Sequence, residues 1–167
     1  GGYAILRDTK ISIVMDIGEP PPSKFSEEYQ SGSLSFEIIT NGKKLISNCG
    51  YYEGKNEKLV KLSKSTAAHN TLAIDNNSSC KFKRFKENYL INNGLKILKK
   101  SIVHEKNYWK ISASHNGYFK KYNAVHERGI EYYPEQFKFI GNDKILIKKS
   151  NSNNKFDIRF HLEPNIK

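Results

Sequence analysis

The sequence predicts an all-β, antiparallel β-sandwich, and three observations carry that prediction. About ten short β-branched or aromatic runs follow one another at spacings typical of antiparallel sheets. Asn41-Gly42 stands between two of them and tolerates positive φ at both central positions of a tight turn, the strongest short-range hairpin signal in the chain. No amphipathic helix is long enough to cover a parallel sheet. At 167 residues and 19.2 kDa the chain is read as one domain, 1–167, able to bury roughly 70% of its surface.

Taken in order, residues 3–7 and 11–15 form two strands around the polar turn Asp8-Thr9. Gly18-Glu19-Pro20-Pro21-Pro22 cannot continue a ladder, because proline lacks the donor, and is a rigid connector. Residues 34–39 and 44–47 flank the Asn41-Gly42 turn. Residues 55–64 are charged and lack Gly and Pro, so a loop and a helical turn both fit. Strand patterns return at 71–75, 95–104, 108–114, 124–133 and 144–148. In the last run Phe156, Ile158, Phe160 and Leu162 alternate with Asp157, Arg159 and His161, which predicts one apolar and one polar face. Residues 150–155 are of low complexity and read as a hairpin loop.

A formal net charge of +11 favours acidic partners: nucleic acid, anionic polysaccharide or an anionic membrane surface. The cations are 24 Lys and four Arg (Arg7, Arg84, Arg128, Arg159), whereas bidentate phosphate or base readout prefers Arg. No strand carries the interleaved aromatic and basic pattern of single-strand binders, so nucleic acid is not the expected partner. No run approaches the roughly 20 apolar residues of a membrane span, and there is no secretory-type start. The chain opens Gly1-Gly2-Tyr3 and is strand-like by Ala4, which reads as a piece of a longer polypeptide. Cys49 and Cys80 allow one disulfide or two free thiols and match no zinc-finger spacing. The Asn-x-Ser sequons at Asn76 and Asn77 are the chance product of an Asn-rich chain.

There is no phosphate-cradling Gly loop, dinucleotide fingerprint, metalloprotease helix or nucleophile elbow. Of the five histidines, His104 and His126 read as hydrogen-bonded structural residues. His69 differs by context, because Ser65-Thr66-Ala67-Ala68-His69-Asn70-Thr71 sets small residues beside an imidazole and an amide just before a strand. Strand ends often carry site residues on a rigid scaffold. His115-Asn116-Gly117-Tyr118 places an imidazole and a phenol around a turn glycine in a similar way.

Seven segments in series resemble the heparinase II/III-like C-terminal domain. They run from Gly2-Tyr3 to Met15-Asp16-Ile17-Gly18-Glu19-Pro20-Pro21-Pro22, then Leu34-Ser35-Phe36-Glu37, Leu45-Ile46-Ser47-Asn48-Cys49-Gly50 and Ser65 to Thr71. His115-Asn116-Gly117-Tyr118, Val125-His126-Glu127-Arg128 and Arg159-Phe160-His161-Leu162-Glu163-Pro164 complete the set. The resemblance implies a polysaccharide lyase in which an α/α toroid precedes this β-sandwich, the two enclosing a cleft for uronic-acid polysaccharide. Such lyases abstract the C5 proton and expel the C4 oxygen by β-elimination, with the substrate carboxylate neutralised by amide, histidine or cationic donors. It further implies a periplasmic or cell-envelope location, and inactivity of the sandwich without its toroid.

The departures from the family pattern are specific. Registering on Leu34 to Glu37 puts Glu28 at the catalytic histidine, Gln30 at a metal-binding histidine and Gly32 at the aspartate of a His-x-His-x-Asp run. Asn48 takes the place of another metal-ligand aspartate, leaving His69 alone of the metal set. One imidazole and two neutral amides make a poor zinc site, so no metal and no other cofactor is expected, and Gln30, Asn48 and His69 are expected as a hydrogen-bonded cluster instead. Glu28 and His69 are therefore the candidate catalytic residues. Gln30, Asn48, Asn70, His115 and Tyr118 are the candidate substrate-binding residues, and Lys99-Lys100 and Lys120-Lys121 are candidate walls of an anionic cleft. A non-catalytic glycan-binding or envelope-assembly protein that kept the fold is the alternative.

Overall fold

The computed structural model describes residues 2–148 and 153–164. Strands β1 (Tyr3–Arg7), β2 (Ile11–Asp16), β3 (Phe36–Thr40) and β4 (Lys43–Ile46) form one antiparallel sheet in sequence order. A second antiparallel sheet has the order β11-β10-β9-β8, from β8 (Ile97–His104), β9 (Trp109–His115), β10 (Ala124–Tyr133) and β11 (Lys138–Ile147). Two smaller pairs complete the fold: β5 (Leu72–Ile74) with β12 (Phe156–Ile158), and β6 (Lys81–Phe85) with β7 (Asn88–Asn93). Two helices, α1 (Glu57–Lys64) and α2 (Phe119–Tyr122), lie in the connections.

Alternation sets which face of each sheet is buried. Along β2 and just past it, Ile11, Ile13, Met15 and Ile17 point inward, leaving Ser12, Val14 and Asp16 on the outer face. The inward set meets Trp109, Ile111, Ala113, Ile130 and Tyr132 from the second sheet, forming one core between the two. Burying each such aliphatic side chain contributes roughly 1.5–3 kcal/mol. Between β3 and β4, Asn41 and Gly42 take φ of 48° and 73°, the turn their sequence predicts.

Four local expectations resolve or change. Within residues 55–64, Glu57–Lys64 become α1, whose first amides are capped by Asn56 Oδ1 at 3.0 Å from Lys58 N and 3.3 Å from Leu59 N. The β6–β7 hairpin was not legible because its strands are mostly exposed and lysine-rich, so no apolar alternation marks them. β11 starts at Lys138 rather than 144, since Gly141-Asn142-Asp143 reads as a turn yet pairs with β10 throughout. The terminal run is inverted: Phe156, Ile158, Phe160 and Leu162 face outward at 42–63% exposure, while Asp157, Arg159 and His161 turn toward the body of the protein. Hydrogen bonds decide that orientation, because Asn70 Oδ1 accepts from the His161 amide at 2.6 Å and Arg159 Nη2 donates to Asn76 Oδ1 at 3.3 Å. Cys49 is an exposed free thiol and Cys80 a buried one. The loop expected at 150–155 lies largely outside the described residues.

Candidate functional site

The outer face of the first sheet carries a cleft of about 390 Å³. Tyr3, Val14, Asp16 and Glu37 form its floor, the segment from Glu28 to Ser35 one wall, and Asn48, Gly50 and His69 the other. Residues far apart in sequence converge here because β2 and β3 are paired and two connecting segments fold back over them. The first wall is held from behind by Lys64, a lysine only 3% exposed, whose ammonium donates to the carbonyls of Glu27 and, at 3.0 Å, Tyr29. Leu34 adopts φ +61° at the end of that wall, fixed by its amide donating to Asp16 O at 2.9 Å and its carbonyl accepting from Arg128 Nη1 at 3.0 Å.

Glu28, Gln30, Asn48 and His69 therefore line one cleft, as does Gly32. They do not bond to one another as the expected cluster. Asn48 Oδ1 accepts from the Asn70 amide at 2.8 Å, and its own amide donates to Glu37 Oε1 at 2.9 Å. His69 Nε2 sits 3.2 Å from Ser63 O, and a carbonyl only accepts, so Nε2 carries the proton and Nδ1 keeps its lone pair. Burial, the main cause, pulls the His69 pKa down to about 4, so the ring is neutral at physiological pH. Glycine at position 32 leaves room for the His69 ring and Ser35 Oγ, which a Cβ there would meet at a tight 3.2 Å. Gln30 Nε2 is buried and has no hydrogen-bond partner among the described residues.

Sequence reasoning missed Asp16. Its carboxyl is pushed up to about 6 by burial, against the opposing effect of the Gly18 amide, which donates to Oδ1 at 3.0 Å. The available signal was the alternation of β2, which places this carboxylate on the face opposite the core. Glu28 reaches the rim but is exposed, so the desolvated carboxylate of the cleft is Asp16 rather than Glu28.

Three expected substrate-binding residues are placed elsewhere. Asn70 is fully buried. Its Nδ2 donates to Phe36 O at 3.0 Å and its Oδ1 serves His161, so it positions the cleft from beneath rather than facing it. His115 is buried in a chain of its own. Its Nδ1 accepts from the Gly117 amide at 3.0 Å, which leaves Nε2–H to donate to His126 Nδ1 at 3.3 Å; His126 Nε2–H then donates to Asp143 Oδ1 at 2.6 Å. Arg128 grips the same carboxylate through Nε at 2.8 Å and Nη2 at 3.0 Å. Tyr118 is also buried, donating to Leu72 O at 2.7 Å, and its ring borders a second cleft rather than the first.

The sequence matches the family described as Heparinase II/III-like, C-terminal, over residues 1–167. The chain belongs to that family. The fold of this heparinase II/III-like domain is similar to that of the heparan sulfate lyase HepC from Pedobacter heparinus, with a TM-score of 0.65, 20% identity, and coverage of 89% of this chain and 21% of that one. A HepC mutant gives a TM-score of 0.66 at the same identity and coverage. A crystal structure of heparinase III gives 0.62 at 21% identity, covering 89% of this chain and 22% of that one. At such identities the likeness establishes the fold, and the chain spans about a fifth of those structures' length. A comparison with curated protein sequences finds no match.

The zinc implied by the family resemblance does not fit the residues present. The positions offer two carboxamides, one with its oxygen already accepting from an amide, and an imidazole whose Nε2–H is bonded to a carbonyl. Among the described residues no group of three or more His, Cys, Asp or Glu is arranged to hold a metal. No described helix is long and apolar enough to cross a membrane.

Proposed function

We propose that this domain forms one wall of the cleft of a polysaccharide lyase that cleaves uronic-acid polysaccharide by β-elimination, in the periplasm or cell envelope. The reaction needs a base for the C5 proton, a donor for the departing C4 oxygen and neutralisation of the substrate carboxylate. The observation that carries the reading is one cleft holding a desolvated carboxylate, a neutral imidazole and an amide donor with no partner among the described residues: Asp16, His69 and Gln30. Gln30 Nε2 donates to the uronate carboxylate. Asp16, with its pKa near 6, is matched to proton transfer near neutral pH, and His69 offers the Nδ1 lone pair from the same cleft. Glu28 approaches the substrate from the rim. The remaining groups come from an α/α toroid of the same polypeptide, no metal or other cofactor takes part, and neither nucleic acid nor a membrane is the partner.

Ultraviolet absorbance of newly formed unsaturated uronate reads the reaction directly. In the full-length polypeptide, heparan-, chondroitin- or alginate-type substrate should give signal in wild type and lose it in a still-folded His69→Ala variant. Absence of signal on every substrate, with glycan binding retained, would instead establish a non-catalytic glycan-binding or envelope-assembly protein. The replacement of the His-x-His-x-Asp run by Glu28, Gln30 and Gly32 favours that second reading.

A further inference from the structure

Three of the chain's 28 Lys and Arg side chains line one concavity that shares no lining residue with the first cleft. This second cleft, also about 390 Å³, is where three chain segments meet: 77–81 leading into β6, 92–93 at the end of β7, and 117–122 around α2. Lys81, Lys120 and Lys121 line it and are exposed, together with the carboxamides of Asn77, Asn92 and Asn93. None of the described lining residues is an Asp or Glu. Three ammonium groups around one hollow, with no carboxylate between them, repel one another until an anion enters.

Part of the wall is preorganised. Lys121 Nζ donates to Asn77 Oδ1 at 3.0 Å and lies 5.0 Å from the centre of the Tyr122 ring. Asn77 Nδ2 in turn donates to Tyr122 Oη at 2.8 Å, so lysine, amide and phenol hold one another in place and less side-chain entropy is lost on binding. The cleft volume falls at the low end of the range for small-ligand sites. Lysine supplies point charge rather than a rigid fork, and the carboxamides supply paired donors and acceptors that match sugar hydroxyls. A compact concavity of this kind, lined by lysines and carboxamides, suits a charged sugar better than a nucleic-acid strand, which is bound along an extended basic groove with stacking platforms.

We propose that the cleft lined by Lys81, Lys120 and Lys121 is a second binding site, for an anionic sugar of the polysaccharide, carrying a carboxylate or a sulfate ester. It holds the chain at a point separate from the Asp16–His69 cleft. The class of ligand rests on the acidic-polysaccharide reading above.

The test is calorimetric titration of the full-length polypeptide at about 0.15 M salt, where diffuse surface attraction is largely screened. The probes are size-defined heparan sulfate and oligoguluronate, with single-stranded DNA of equal charge alongside. One variant carries Lys81→Gln, Lys120→Gln and Lys121→Gln. A control of equal charge change carries Lys10→Gln, Lys43→Gln and Lys138→Gln, three exposed lysines on other elements. The site predicts about a tenfold or greater loss of oligosaccharide affinity in the cleft variant and less than about twofold in the control. Dependence on the sulfated probe alone identifies a sulfate ester, and dependence on both probes identifies the carboxylate. Equal losses in the two variants, or DNA binding as tight as the glycan and equally dependent on these lysines, overturn the proposal. Release of unsaturated uronate is followed in the same samples. Cleft dependence without lyase signal leaves the site standing and removes the lyase reading, whereas lyase signal with matched losses does the reverse.

Discussion

Two polar clusters lie on opposite sides of the first sheet, and their states of satisfaction differ. Beneath it, His115, His126, Arg128 and Asp143 form a closed network. Each ring proton has an acceptor, the carboxylate receives two guanidinium bonds and an imidazole, and Arg128 reaches across to the carbonyls of Leu34 and Asn70. Above it, the Asp16–His69 cleft holds a desolvated carboxylate near pKa 6 and an amide nitrogen, Gln30 Nε2, with no partner among the described residues. A buried polar group that is fully bonded specifies structure, and one that is not is available to a ligand. By that criterion His115, which the sequence marked as substrate-binding, is architectural, and Gln30, whose Nε2 has no partner among the described residues, is the group left open to a ligand.

Asp143→Asn leaves Arg128 buried without its counter-charge and has the largest expected effect. A loss of about 3–5 kcal/mol in urea unfolding is expected, because removing one partner of a buried pair strands the other. A loss under about 1 kcal/mol would show that the network does not hold the sheets together.

Next in size is the acid limb of stability. His69 binds its proton at about 4 in the folded chain and near 6.5 when unfolded, so its contribution is complete above pH 6.5 and is lost as pH falls through 4. That amounts to roughly 3 kcal/mol at full effect. His115 and His126, both lowered chiefly by burial, act in the same direction. Chemical denaturation between pH 7 and 4 should show the decline, and His69→Gln should flatten part of it. An unchanged slope in that variant would place the proton uptake elsewhere.

The smallest effect has the opposite sign. Asp16 is raised from 3.8 to about 6, so its ionised form penalises the folded state at pH 7 by up to about 3 kcal/mol, and the penalty fades as pH falls below 6 toward 4. Asp16→Asn should stabilise the protein by about 1–3 kcal/mol at pH 7, gain nothing near pH 4, and lose lyase signal. A destabilised variant would mark Asp16 as structural, like the network below.

Much of this protein is legible along the chain. The alternation in β2, the Asn41-Gly42 turn and the spacing of apolar runs specify an antiparallel sandwich, because strand period and turn chemistry are local properties. The order of motifs likewise brings Glu28, Gln30, Asn48 and His69 to one place. Tertiary structure alone decides the rest. Asn142-Asp143 reads as a turn in isolation but lies within a strand, since Asp143 answers Arg128 from the neighbouring strand. Phe156 to Leu162 turns its apolar side outward because Asn70 and Asn76 take the hydrogen bonds of His161 and Arg159. Asp16 differs from any other strand aspartate only through the segments that fold over it, and desolvation is a property of surroundings that no local pattern encodes.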